Sequence, residues 1–146
     1  INTQLGQTYG DPGASAFDYQ DGNISDAIQV TSNVNTAVPG TYQVTYNVSD
    51  SVGNAADTVT RTVIVRDMEP PIITLLGQPT ETAFAGLPWN DPGASAYDLI
   101  DGDLTSSIIV TGYVDNTIAG TYTLHYNVSD LAGNAATQVD RIVIVL

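Results

Sequence analysis

Three observations predict an all-β protein built as two tandem antiparallel β-sandwiches. The first is an internal repeat with a shift of 80 residues: Asp11-Pro12-Gly13-Ala14-Ser15-Ala16 returns as Asp91-Pro92-Gly93-Ala94-Ser95-Ala96, and Tyr46-Asn47-Val48-Ser49-Asp50 returns as Tyr126-Asn127-Val128-Ser129-Asp130. About 30 of the 55 positions from Asp11 to Val65 are identical in the second copy without a gap, which is the signature of stacked modules rather than of one unique fold. The second is strict period-two alternation of polar and apolar residues in both copies, which places successive side chains on opposite faces of a strand. The third is that no segment of useful length carries the 3.6-residue period of a helix.

The elements follow in order. Thr41 to Val48 alternates with Tyr42, Val44, Tyr46 and Val48 on one face, and Thr121 to Val128 repeats the pattern with Tyr122, Leu124, Tyr126 and Val128. Thr58 to Val65 and Gln138 to Leu146 are β-branched closing strands. Ser51-Val52-Gly53-Asn54 and Leu131-Ala132-Gly133-Asn134 supply turn chemistry between them, so each pair reads as a hairpin. Pro71 to Leu76, Glu81 to Phe84, Ala94 to Tyr97 and Ile108 to Tyr113 are the remaining strands. Six or seven short strands with turn signals every 8 to 12 residues is the pattern of an immunoglobulin-like sandwich. Gly40-Thr41-Tyr42 and Gly120-Thr121-Tyr122 stand where such a fold carries its tyrosine corner, with Val44 and Leu124 at the place of an antibody's second cysteine.

The period sets the modules at residues 1–66 and 67–146. Ile1 to Gly6 match Glu81 to Gly86, so the first module is expected to be truncated at its N-terminus and to lack the strand that Pro71 to Leu76 supplies to the second. Arg66-Asp67-Met68-Glu69-Pro70-Pro71 is the linker, where two prolines stiffen the backbone and end strand pairing. The chain reads as an internal piece of a longer exported protein, since it opens on neither Met nor a signal segment and has no apolar run of about 20 residues.

Composition excludes several chemistries. Cysteine is absent, which removes disulfides, thiolate metal sites and a cysteine nucleophile. The only basic residues are Arg61, Arg66 and Arg141, against a net charge of −13, so nucleic acid and direct membrane insertion are excluded as partners. Acids minus arginines give 6 − 2 over residues 1–66 and 10 − 1 over 67–146, which concentrates negative charge in the second module and its approach. Fourteen of the 16 acids are Asp, a residue of turns, caps and oxygen-rich cation sites. His125, the single histidine, falls on the polar face of its strand, and no nucleophile motif or phosphate loop accompanies it, so the chain is read as no enzyme.

The string D-P-G-A-x-A-x-D-x-x-D-G, then G-T-Y-x-x-x-Y-x-V-S-D-x-x-G-N-A-A, then R-x-V-x-V and D-x-E-P-P-I-I resembles the bacterial Ig-like repeats, related to HYR modules, of surface adhesins, secreted hydrolases and pesticidal crystal proteins. That resemblance implies a non-catalytic spacer or adhesion module at the cell surface or outside the cell, with neighbouring Ig-like repeats in the same chain as its partners. A glycan or a cell-surface receptor is the alternative partner, in an accessory carbohydrate-binding module. Trp89, matched by Tyr9, would be its stacking residue, although packing beneath the Asp-Pro-Gly turn is the favoured role.

The candidate site is a Ca²⁺ site. In the expected topology the linker (Asp67, Glu69), the loop carrying Asp98, Asp101 and Asp103, and the hairpin carrying Asp130 and Asn134 meet at one pole of the second module. They offer only oxygen donors, in the number that Ca²⁺ takes. Asp18, Asp21, Asn23, Asp50 and Asn54 occupy the matching places in the first module, without a preceding linker. The same residues also suit plain turn capping, in which Asp98-type side chains bind backbone amides and no ion is needed.

Overall fold

A computed structural model describes all 146 residues, which separate into two compact units, Ile1–Asp67 and Met68–Leu146. The second unit holds seven strands: β7 (Ile72–Leu75), β8 (Thr80–Ala83), β9 (Ala94–Asp98), β10 (Gly102–Asp103), β11 (Ile109–Thr111), β12 (Gly120–Asn127) and β13 (Val139–Val145). Sheet order is β10-β9-β7 in one layer and β11-β12-β13-β8 in the other. The first unit repeats this with β1 (Asn2–Gln4), β2 (Phe17–Asp18), β3 (Gly22–Asn23), β4 (Gln29–Ser32), β5 (Gly40–Asn47) and β6 (Val59–Arg66), ordered β1-β6-β5-β4 and β2-β3. Nothing in the first unit plays the part of β7, as the 80-residue register requires. Helix is confined to single 3₁₀ turns at Ser25–Ala27 and Thr105–Ser107.

Alternation decides which side chains enter the cores. Leu124 and Tyr126 on β12, and Val143 and Val145 on β13, point inward and are buried, as are Val44, Tyr46, Val63 and Val65 in the first unit. Each fully buried aliphatic side chain contributes about 1.5–3 kcal/mol, so these two central hairpins carry most of the apolar stabilisation. The tyrosine corners form as expected: Tyr42 Oη donates to the Val38 carbonyl at 2.8 Å and Tyr122 Oη to the Ile118 carbonyl at 2.9 Å.

One pairing in each unit departs from the antiparallel pattern. β8 runs parallel to β13, and β1 parallel to β6. In the second unit β7 pairs antiparallel with β9 in one sheet, and the chain then kinks at Gly77 (φ +81°) and continues as β8 in the other. A strand that changes sheets without reversing direction meets the last strand in parallel. A Cβ at Gly77 would also stand 2.9 Å from Glu81 Oε1 and 3.0 Å from Pro92 Cγ, so both backbone and space require glycine there.

Candidate functional site

The loop between β9 and β10 is a three-residue turn closed by Gly102 at φ +77°. Asp98, at its start, is 2% exposed, and its Oδ1 accepts hydrogen bonds from the amides of Ile100 (2.7 Å) and Asp101 (2.9 Å). Asp101 reaches out of this turn: its Oδ2 accepts the Leu131 amide at 2.7 Å, tying the loop to the β12–β13 connection. There Asp130, also buried, accepts the Asn134 amide and its Nδ2 group, each at 2.7 Å, while the Asp130 and Gly133 amides close the turn. Asn134 Nδ2 further donates to the Glu69 carbonyl at 3.4 Å, which brings the strand-entry segment of this unit to the same place.

The second unit therefore gathers Asp98, Asp101, Asp130, Asn134 and the backbone of Glu69 at one pole. Carboxylate oxygens of Asp98 and Asp101 lie within 4.8 Å of each other. Asp103 turns to a separate task. Its Oδ1 accepts the Thr105 amide at 2.9 Å, and the Thr105 hydroxyl and amide together hold its carboxyl below the ordinary range. Asp67 closes the first unit, buried, with its Oδ1 accepting from Gln4 Nε2 at 2.8 Å.

The matching pole of the first unit has the same wiring with more exposure. Asp18 accepts the amides of Gln20 and Asp21, Asp21 accepts both the amide and hydroxyl of Ser51, and Asn23 accepts the amide and hydroxyl of Ser25. Asp50 is held by the Asn54 side chain first, and by the amides around the turn, at an acidity stronger than usual for its type.

Asp91 caps the Asp-Pro-Gly turn by accepting the Gly93 amide at 3.1 Å, and its larger role emerges only in three dimensions. On β13 the alternation that buries Val143 and Val145 also sends Arg141 into the core, where it is fully buried. Its guanidinium pairs with Asp91, lies 5.6 Å from the centre of the Tyr126 ring, and donates to the carbonyls of Leu76, Gly93 (3.0 Å) and Gln78 (3.2 Å). Tyr126 Oη donates to both Asp91 oxygens at 2.8 Å. The first unit repeats the trio as Asp11, Arg61 and Tyr46. Identity of all three at the 80-residue shift was the available signal.

Burial first, and then the hydrogen bond to Asp91, push the Tyr126 phenol up to about 12. An acid whose folded value is raised favours the fold while protonated. That contribution is complete below pH ~10, the ordinary phenol value, and is lost as pH rises through about 12. Trp89, the only tryptophan, packs against the second unit's core and reports it alone. Its fluorescence in denaturant should show stability falling across that alkaline window, and the fall should shrink in Tyr126→Phe. An equal fall in both proteins would remove Tyr126 as the cause.

The remaining sequence candidates have ordinary roles. His125 Nδ1 sits 2.8 Å from Asp140 across the β12–β13 pair, on the outer face. Trp89 and Tyr9 are half-buried against the cores beneath the Asp-Pro-Gly turns, so they form no exposed sugar platform.

Fold and wiring together define a tandem pair of immunoglobulin-like sandwich modules with carboxylate-lined loops. The chain belongs to the family described as bacterial surface protein, Ig-like domain, which matches residues 1–65 and 73–145. It is similar to the pesticidal crystal protein Cry22Aa of Bacillus thuringiensis, 29% identical over 99% of this chain and 21% of that protein. An uncharacterized 81.3 kDa protein of Acholeplasma phage L2 is 33% identical over 79% of this chain and 16% of its own length. The chain thus spans about a fifth of these relatives.

Among solved structures, the M60 catalytic domain with CBM51-1 and CBM51-2 domains from Clostridium perfringens ZmpB matches with a TM-score of 0.54 and 15% identity, over 99% of this chain and 30% of that one. This is a likeness of fold. A lipoprotein of Bacteroides thetaiotaomicron matches at TM-score 0.46 and 28% identity, over 51% of this chain and 37% of its own. No helix of the chain is long and apolar enough to cross a membrane.

Proposed function

We propose that the chain is a non-catalytic spacer of a bacterial surface or secreted protein, in which Ca²⁺ binds at the pole where the linker enters the second unit. The observation that carries this reading is the mutual bracing of Asp98, Asp101 and Asp130, two of them buried, with Asn134 holding the Glu69 backbone beside them. Two unit charges 4.8 Å apart repel by ~0.9 kcal/mol in water and by ~3.5 kcal/mol at an effective dielectric near 20. A divalent cation relieves that repulsion, and an all-oxygen donor set suits Ca²⁺. Glu69, one peptide bond past Met68 at the start of the unit, would add an oxygen donor from the linker.

Catalysis is disfavoured on separate grounds. All five carboxylates whose acidity shifts are made more acidic, Asp50, Asp103 and Asp115 by turn capping, Asp11 by Tyr46 first and Asp140 by His125 first, and none is raised toward neutral pH as a general acid or base would be. An ion gives a small module a useful margin: a ligand bound only by the folded state at 100 times its Kd adds ~2.7 kcal/mol.

Titration calorimetry of the full chain should show saturable Ca²⁺ binding, and Ca²⁺ should raise the unfolding midpoint reported by Trp89. Small-angle scattering should show a narrower spread of dimensions with Ca²⁺ than with EDTA, because the linker is then tied down. Superimposable melting and scattering curves in the two conditions would leave a plain, ion-independent spacer.

A further inference from the structure

In the second unit the outer face of the β10-β9-β7 sheet carries a row of three side chains, one from each strand. Tyr97 on β9 stands opposite Asp103 on β10 and Ile72 on β7. Alternation sends Ala94, Ala96 and Asp98 of β9 inward and leaves Tyr97 outside, 60% exposed, beside Ile72 at 72%. The next row of the same face is Ser95 and Thr74, both polar, as a solvated face ordinarily is. Asp103 is exposed as well, and Thr105 holds its carboxyl below the ordinary range. The row is therefore an anion, an aromatic ring and an aliphatic side chain set over about 10 Å, two strand spacings.

Charge decides what such a row accepts. Arg141 is the only Lys or Arg of Met68–Leu146 and is fully buried, so apart from His125 the surface of this unit carries no cation. Polyanions are repelled, and a second copy of a chain at net charge −13 meets the same repulsion. An arginine satisfies all three members of the row: its planar head pairs with Asp103, its face stacks on the Tyr97 ring, and its methylenes or an apolar neighbour cover Ile72. The first unit supplies the contrast. There Phe17 stands opposite Asn23, which keeps the aromatic and drops the charge.

We propose that the row Asp103, Tyr97 and Ile72 is a docking place for a basic segment of another protein, an extended stretch in which an arginine and an apolar residue stand two apart and so share one face. Charge complementarity selects the arginine, and the exposed Tyr97 and Ile72 select its apolar companion. A neutral glycan would use the Tyr97 ring but leave the Asp103 charge unanswered. The contact needs no bound ion, so it is tested apart from the Ca²⁺ site.

The probe is the acetylated, amidated peptide Thr-Arg-Thr-Val-Thr-Arg-Thr, titrated into the full ¹⁵N-labelled chain in EDTA. Amide shifts should saturate at Ile72, Tyr97 and Asp103, and about 0.5 M salt should weaken the midpoint roughly threefold or more. Asp103→Asn should weaken it ~fivefold and Tyr97→Ala by a similar factor, while Tyr97→Phe should keep it within about twofold. Asparagine suits the neighbouring 3₁₀ turn, since Asn23 accepts the Ser25 amide at the matching place, so the Asp103 variant keeps its fold. Four results would overturn the proposal: no saturation by ~5 mM; an unchanged midpoint in Asp103→Asn; an equal response at Phe17 and Asn23; or saturation of the same amides by a neutral oligosaccharide of N-acetylglucosamine and not by the peptide, which would make a glycan the occupant. Concentration-dependent sedimentation that replacing the exposed Arg66 with Ser abolishes would make a second copy the occupant, and would overturn it too.

Discussion

Replacing Arg141 with Met should destabilise the second unit by about 3–5 kcal/mol, the range for removing one member of a buried ion pair. Methionine keeps much of the volume and so separates lost charge from lost packing. What remains is a set of acceptors that have lost their charged donor: Asp91, still held by the Tyr126 hydroxyl, and the carbonyls of Leu76, Gly93 and Gln78. Two of those carbonyls flank Gly77, where the chain crosses between sheets, so the arginine also clamps the crossover. In a unit of this size each kcal/mol moves the midpoint by roughly 4–8 °C, and the Trp89 transition should fall by about 12–40 °C.

Two comparisons sharpen the test. Arg141→Lys should recover little, because an ammonium cannot fork to Asp91 and two carbonyls at once. Arg61→Met, at the matching place in the first unit, should cost only about 1–2 kcal/mol, since both members of that pair are a quarter exposed and water can take over the acceptors. A loss below about 1 kcal/mol for Arg141→Met would show that the buried trio contributes no net stability.

The contrast between these two arginines also shows what one-dimensional reading reaches. Alternation located β5, β6, β12 and β13 within a residue or two, because a half-buried strand must alternate. Direction of pairing is another matter: Thr80–Ala83 reads the same whether it lies parallel or antiparallel to β13, and only the sheet change at Gly77 decides it. Arg141 follows the inward register of Val143 and Val145, yet its partners are 50 and 15 residues away, beyond any local pattern.

The candidate site was legible to a similar depth. That the loops holding Asp98, Asp101 and Asp130 meet follows from topology alone. Which oxygens are already engaged does not, because a carboxylate two residues before a Thr can either face a cation or cap a turn. Asp103 caps Thr105, and the spacing Asp103-Leu104-Thr105 was the only hint.

For the ion itself, the most discriminating variant is Asp101→Asn, because its effect should change sign with conditions. The Leu131 amide donates to a side-chain oxygen of Asp101, and an amide oxygen can take that bond, so the bridge between the two loops survives. The change removes one charge beside Asp98. Asp101 is partly exposed, so the relief lies between the aqueous and the low-dielectric limits, about 1 kcal/mol in favour of the variant when EDTA is present.

With Ca²⁺ the balance inverts. At 100 times Kd the parent gains ~2.7 kcal/mol; if losing one charged ligand weakens binding about a hundredfold, the variant gains only ~0.4 kcal/mol at the same concentration. The variant should therefore unfold later than the parent in EDTA and earlier in Ca²⁺, by about 1 kcal/mol each way. Asp57→Asn, an exposed acid of the first unit, should move the Trp89 transition in neither condition. Repulsion without an ion predicts the EDTA ordering in both buffers, whereas pure turn capping predicts little difference in either. Only cation binding at this pole makes the two melting curves exchange places.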